Sequence, residues 1–301
     1  MIAPRALGLC VVGLAGCAAA PRATPHDPVA ANEACAGCHA EIAREWRQSL
    51  HRASYDDPIF RAAYAREPAR FCASCHAPED PRGTGAARLT SLGTACTTCH
   101  AEPHGPRKAD ATCGGCHEFA FPGREGTGRL EDAMQRTRTE HARSPMSRVA
   151  CTGCHMPAAG GHKSHAFGGG RDPAWLASAL DVRAARDAGS VTLTIGPGVV
   201  GHAVPTGDLF RRLVVGVETV DASGAVASKD ERALGRRFAV ALDRRVEVSN
   251  ERPGANGPIS VTLRAGDGRA RWFVRYQRVL AERDGVAEVV EDLRVRDGWI
   301  D

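Results

Sequence analysis

The chain has 301 residues, enough for one large domain or two ordinary ones, and its 43% hydrophobic and 25% charged content is that of a soluble globular protein. The net charge of +4 is small, and the cations are spread along the chain as Arg, with Lys only at Lys108, Lys163 and Lys229, which excludes a nucleic-acid-binding stripe. Aromatic residues make up only 5%, thin for a core of this size, so something other than side chains is expected to fill part of the interior.

Met1 to Cys17 carries Arg5, an apolar run from Ala6 to Ala15, and then Gly16-Cys17. This is the pattern of a secretory leader, and its apolar run is too short to span a bilayer as a helix. Leu14-Ala15-Gly16-Cys17 has the form of a bacterial lipobox, which makes Cys17 the lipidated first residue of the mature chain; a plain leader cut near Ala20 is the alternative. Two or more acyl chains would hold the protein on a membrane surface, with residues 18–29, rich in Ala and Pro, as a tether.

Cys-x-x-Cys-His then occurs five times, at Cys35–Cys38–His39, Cys72–Cys75–His76, Cys96–Cys99–His100, Cys113–Cys116–His117 and Cys151–Cys154–His155. Each copy is a c-type haem attachment signature. The two thiols, one turn apart, form thioethers with the vinyl groups on one edge of the porphyrin, and the His that follows ligates the iron. With Cys10 in the leader and Cys17 at its end, none of the 12 cysteines is left for a disulfide. Zinc ribbons pair Cys-x-x-Cys units, whereas five is odd and every copy has His directly behind it. Five haem c groups would supply much of the apolar interior of residues 30–170. A mostly helical and irregular pentahaem domain with little sheet is expected there.

Seven histidines remain for the sixth positions: His26, His51, His104, His141, His162, His165 and His202. A helix is expected over Glu41–His51. His39 and His51 would then stand roughly 18 Å apart along it. Two axial nitrogens on one iron are only about 4 Å apart, at ~2 Å per metal–imidazole bond, so a helical His51 serves another haem. In Gly161-His162-Lys163-Ser164-His165-Ala166-Phe167 one of the two histidines is a ligand, with His165 favoured. His104 is too close to His100 to reach the far side of the same ring. It serves a neighbouring haem or lies in solvent. The same holds for His141, at the end of a helical run expected from Leu130. His26 falls in the tether. Met134 and Met146 are further axial alternatives.

Beyond Arg171 the texture changes. Asp172–Ala188 reads as a linker helix, with Pro173 in its first turn and Gly189 at its end. Six β-rich runs follow: Val191–Ile195, Leu213–Val220, Arg237–Leu242, Ile259–Leu263, Arg271–Val279 and Val286–Val295. Their Gly- and Pro-rich separators predict a small antiparallel β-sandwich over 190–301. The fold class is therefore α + β, multidomain. The loop Gly201-His202-Ala203-Val204-Pro205-Thr206-Gly207-Asp208 reads either as a plain connection or as a finger that carries His202 to a haem.

Three stretches together resemble the multihaem cytochromes c related to the tetrahaem cytochrome c-554 of ammonia oxidisers. They are Cys35–His39 followed by Trp46-x-x-Ser49-x-His51, Cys151–His155-Met156-Pro157 followed by Ser164-His165-Ala166-Phe167, and Gly201-His202 with Pro205-Thr206-Gly207. The resemblance covers most of residues 30–215. It implies periplasmic or cell-surface electron transfer through closely stacked, usually bis-His haems, and it adds weight to His51 and His165 as distal ligands. Five motifs and a β domain depart from the tetrahaem pattern, and the Cys-x-x-Cys-Lys motif of pentahaem nitrite reductases is absent.

The expected function is electron transfer between redox partner proteins by an exported, lipid-anchored carrier, in the periplasm or at the outer membrane. The alternatives are a multihaem oxidoreductase with one open haem acting on a small nitrogen or sulfur compound, and a cytochrome subunit of a respiratory complex. The distal candidates are His51, His104, His141, His165 and His202, and no catalytic residue is singled out.

Overall fold

The computed structural model describes residues 27–100, 109–121, 132–242, 244–254, 256–283 and 286–301. The leader, Cys17, His26 and His104 lie outside the described residues. Among the described residues no helix is long and apolar enough to cross a membrane.

The fold mixes short helices with antiparallel sheet. Helices come first: α1 (Pro28–Cys38), α2 (Ala40–Arg47), α3 (Pro58–Arg66), α4 (Arg70–His76), α5 (Ala87–Thr90), α6 (Cys96–Cys99) and α7 (Ala109–His117). The two-residue strands β1 (Glu118–Phe119) and β2 (Gln135–Arg136) pair before α8 (Thr137–Ala142) and α9 (Cys151–His155), and β3 (Ala158–Ala159) pairs with β4 (His162–Lys163) before α10 (Pro173–Ser178). Thereafter every element is a strand: β5 (Leu180–Asp187), β6 (Ser190–Pro197), β7 (Arg211–Val220), β8 (Val226–Leu234), β9 (Arg236–Ala241), β10 (Arg244–Asn250), β11 (Ile259–Arg264), β12 (Ala270–Arg283) and β13 (Val286–Ile300).

Several sequence expectations are corrected. The tether stops short of residue 29, because α1 begins at Pro28, where the Asp27 side chain accepts a hydrogen bond from Val29 N. The helix expected over Glu41–His51 ends at Arg47. The Ser49 hydroxyl turns back onto the carbonyl of Trp46 at 2.7 Å, and Thr94 N donates to the carbonyl of His51 at 2.8 Å, so the chain leaves the helix to dock on another loop. Gly93 is required at that contact, since a Cβ there would lie 2.3 Å from the Arg52 carbonyl.

Among the described residues, the helical run expected from Leu130 is present as α8. Glu118 caps it, accepting from Thr139 N at 2.6 Å, while the two preceding residues pair with β1. The linker helix expected over Asp172–Ala188 breaks after Ser178, and Leu180–Asp187 becomes β5 of a hairpin with β6. Gly189, at φ +77°, is the turn of that hairpin rather than a helix stop. Leu180, Val182 and Ala184 alternate with exposed residues, a period of two that overrides the helix start signal at Asp172-Pro173. Strands β8 and β10 gave no sequence signal. β8 is an edge strand that is exposed almost throughout and rich in charge.

Two sheets, ordered β11-β6-β5 and β13-β12-β7-β8, share one hydrophobic core. It contains Val191, Leu193 and Ile195 from β6, Leu213, Val215 and Val217 from β7, Val261 and Leu263 from β11, and Val274 and Tyr276 from β12. The helical part has a much smaller cluster, Tyr55, Phe60 and Ala77 with Tyr64 and Cys72 against it.

Asp57 joins the two textures. Its carboxylate caps α3, accepting from Ile59 N (3.0 Å) and Phe60 N (3.2 Å), and it accepts from Arg278 of β12 (2.8 Å) and from Arg171 (2.6 Å). Burial opposes its ionisation, but Arg278, the Phe60 N–H and Arg171 together outweigh this and the carboxyl titrates below its ordinary value. A depressed carboxylate stabilises the fold above its unfolded pKa of about 3.9 and loses that contribution as pH falls through the folded value. Asp57→Asn is expected to cost roughly 3 kcal/mol at neutral pH, measured by chemical denaturation. The gap from wild type should close below about pH 3.

Candidate functional site

All five Cys-x-x-Cys-His motifs stand on single helical turns, at the ends of α1, α4 and α7 and as α6 and α9. This local helix puts the two thiols of each motif on one side, one turn apart. None of the ten motif cysteines is in a disulfide. Among the described residues no cluster of three or more His, Cys, Asp or Glu side chains is placed to hold a bare metal ion.

The histidines come together in pairs. The His155 and His202 rings have centres 6.1 Å apart and planes within 8°. His100 and His165 are 6.2 Å apart at 31°, and His51 and His117 are 6.2 Å apart at 71°. Imidazoles bound to one metal from opposite sides, at about 2 Å per bond and with each ring centre roughly 1 Å beyond its nitrogen, have centres about 6 Å apart. In each pair one ring belongs to an attachment motif and the other comes from a distant segment.

Three of these rings, and that of His76 in the second motif, are oriented by backbone carbonyls. Nδ1 of His76 donates to Ser54 O (2.7 Å), that of His155 to Gly168 O (2.9 Å), that of His165 to Lys163 O (2.7 Å) and that of His202 to Ala203 O (3.0 Å). A carbonyl only accepts, so Nδ1 carries a proton in each, which leaves Nε2 as the nitrogen an iron would take. Burial holds His51 and His117 down to about 4, and for His117 the nearby Arg211 charge adds to this. Both rings are therefore neutral at physiological pH.

His162 behaves differently. Its Nε2 lies 3.3 Å from each carboxylate oxygen of Glu45, and Glu45 also accepts from His165 N at 2.7 Å. The Glu45 carboxyl is held below its ordinary value, first by that backbone hydrogen bond. His141 packs its ring on Gly201, where a Cβ would lie 2.8 Å from Cδ2. His39 closes α1, its N–H donating to Cys35 O at 2.9 Å.

The loop carrying His202 is anchored on both sides. Val204 N donates to Pro253 O (2.9 Å), Thr206 Oγ1 to Glu140 of α8 (2.8 Å), and Arg252 donates to Pro205 O (2.9 Å) and to Glu140 (2.6 Å). Phe167, at φ +52°, stands edge-on to His51 with ring centres 4.2 Å apart and to His165 at 5.8 Å. A non-glycine residue in that region marks a position the surroundings impose.

The thiols show which motifs are neighbours. Cys75 and Cys116 share a hydrogen bond that lowers Cys75 to about 7 and raises Cys116. Burial raises Cys99 to about 11, with Cys113 nearby adding to it, and Cys35 raises Cys96 in the same secondary way. Asn32 of α1 accepts from Cys96 N at 2.9 Å, and α7 packs against α9. The fourth motif thus stands beside the second, third and fifth, and the first stands beside the third.

These residues fit haem c: five thiol pairs on helical turns, imidazoles oriented through Nδ1 by backbone carbonyls, paired ring centres at one metal's spacing, and a helical part with little apolar interior of its own. Sequence reasoning named Phe167 as a ring-packing residue but missed Glu45 and the carbonyls that fix the Nδ1 protons. Backbone acceptors leave no mark in a sequence, and nothing in the sequence of α2 separates Glu45 from Glu41.

No protein-family model matches the chain, and no curated protein matches it. Among solved structures, a penta-haem cytochrome c552 from Thermochromatium tepidum superposes with a TM-score of 0.68, covering 91% of this chain and 100% of that one at 19% sequence identity. At that identity the likeness shows a shared fold.

Proposed function

We propose that the protein is an exported c-type cytochrome that binds five haem c groups and transfers electrons between redox partner proteins, held at a membrane by a lipid on Cys17. The observation that carries this reading is the set of three imidazole pairs with ring centres 6.1–6.2 Å apart, each with one member in an attachment motif. The shared fold with a penta-haem cytochrome and the resemblance to the c-554-related cytochromes support it. So does the arrangement of short helices that carry the five motifs beside antiparallel sheets whose β6–β7 connection carries His202.

Haem iron supplies the redox chemistry, alternating between ferric and ferrous states. The chain's own residues hold the rings and tune them. His51 with His117, His165 with His100 and His202 with His155 would hold three of the irons. The carbonyls of Gly168, Lys163 and Ala203 raise the basicity of three of these ligands through Nδ1. The proximity of the motifs lays out a route from the first through the third and fourth to the fifth, with the second beside the fourth.

The test is low-temperature EPR of the haem-loaded ferric protein, with iron and mass determined. Five haems are expected, at least three of them low-spin. The near-parallel His155/His202 planes should give a rhombic signal. The steeply crossed His51/His117 planes should give a strongly anisotropic one, because crossed imidazoles leave two iron d orbitals nearly degenerate. A protein without covalent haem would sink the reading.

Glu45→Ala is expected to free the His162–His165 loop by roughly 1–3 kcal/mol, the cost of leaving its donors unpaired. It should convert part of the His100/His165 signal to high-spin, read by EPR spin quantitation.

A further inference from the structure

We infer that Phe167 is a positioning residue for three haem sites at once. Its ring sets the angle of the His51 and His165 imidazoles, and its left-handed backbone delivers the Gly168 carbonyl to His155. The inference rests on the haem reading of the paired histidines.

The stretch from Lys163 to Gly168 touches each of the three histidine pairs. The Lys163 carbonyl accepts from Nδ1 of His165, which faces His100. The Gly168 carbonyl accepts from Nδ1 of His155, which faces His202. Between these two carbonyls the Phe167 ring stands nearly perpendicular to two imidazoles, at 89° to His51 and 83° to His165. Its centre is 4.2 Å from that of His51 and 5.8 Å from that of His165. Aromatic rings meet edge to face at centre distances of roughly 4.5–7 Å, so the contact with His51 is a tight one. Carbonyls orient His155, His165 and His202 through Nδ1, whereas what meets the His51 ring is Phe167. The crossed planes of His51 and His117, at 71°, are thus set from the Phe167 side.

The backbone lets one residue serve both directions. At φ +52° Phe167 lies in the left-handed region, which a bulky side chain adopts only where its surroundings impose it. Both flanks are tied down. On one side Ser164 N donates to Pro157 O at 2.8 Å, and His165 N donates to Glu45 at 2.7 Å. On the other, Trp175 covers Gly168, where a Cβ would lie 3.1 Å from its Cε3, and Asp172 N donates to Gly169 O at 2.9 Å. Glycine would take the same backbone without strain, so what phenylalanine adds at this turn is its ring.

The experiment uses the full-length, haem-loaded ferric protein, with haem counted by mass, and low-temperature EPR of three variants. Phe167→Gly keeps the left-handed backbone and deletes the ring. Phe167→Tyr keeps the ring. Phe167→Val has a branched Cβ that opposes the left-handed region, so it draws the Gly168 carbonyl away from His155.

In Phe167→Gly the strongly anisotropic signal of the His51/His117 pair should shift toward a rhombic one, as the imidazoles leave their crossed planes. The His100/His165 signal should broaden, and the rhombic signal of His155/His202 should stay as in the wild type. Phe167→Tyr should keep all three signals, and Phe167→Val should move that of His155/His202 as well. An unchanged anisotropic signal in Phe167→Gly would overturn the inference and leave the haem reading intact. Loss of all three signals together in that variant would overturn it too, since Phe167 would then only prop the loop. A wild type without covalent haem would overturn the haem reading and this inference with it.

Discussion

Replacing His202 by alanine is expected to convert one haem from low-spin to high-spin and to leave the others unchanged. His202 faces His155 across 6.1 Å with ring planes within 8°, so the variant should lose the rhombic low-spin signal and spare the anisotropic signal of the His51/His117 pair. The loop should survive the change. Ala203 and Val204 are buried, Val204 N is bonded to Pro253 O at 2.9 Å, and Arg252 ties Pro205 O to Glu140. Loss of the ring therefore removes a ligand and little of the packing. The cavity left is imidazole-shaped, so added imidazole is expected to restore the low-spin signal. EPR spin quantitation before and after imidazole checks this. A variant that keeps its full rhombic signal would show that another group closes the His155 site.

Removing the fourth attachment motif, with Cys113→Ala and Cys116→Ala together, is expected to cost one haem by mass and to disrupt conduction more than the loss of the first motif does. Cys116 shares a hydrogen bond with Cys75, Cys113 lies beside Cys99, and α7 packs on α9. Among the described residues the fourth motif therefore has the second, third and fifth as neighbours. The first motif, whose neighbour is the third through Cys35 and Cys96, stands at an end. The matched control is Cys35→Ala with Cys38→Ala. Stopped-flow reduction should show the last haems filling roughly tenfold more slowly in the fourth-motif variant than in the control, or about 1.4 kcal/mol on the limiting step. Equal rates in the two would mean that the haems do not conduct in this order.

The five Cys-x-x-Cys-His motifs were legible in the sequence because such a signature is local: two thiols and a histidine lie within five residues, on one helical turn. Most strands of the β part were legible for a similar reason, since Val191, Leu193 and Ile195 or Leu213, Val215 and Val217 write a period of two into neighbouring residues. Strand β8 was not, because an exposed edge carries charge in place of alternation, and β5 was hidden behind the helix signal of Asp172-Pro173, which is spent within six residues.

Which histidine faces which motif was decided by tertiary structure alone. His51 meets His117, His165 meets His100 and His202 meets His155 across separations of 47 to 66 residues, so no spacing rule reaches them. The same holds for the Nδ1 protons, set by the carbonyls of Ser54, Gly168, Lys163 and Ala203, and for the meeting of Phe167 with His51 and His165. These are contacts between segments that fold independently of one another's sequence, and their geometry exists only once the sheets have packed and the loops between them are held.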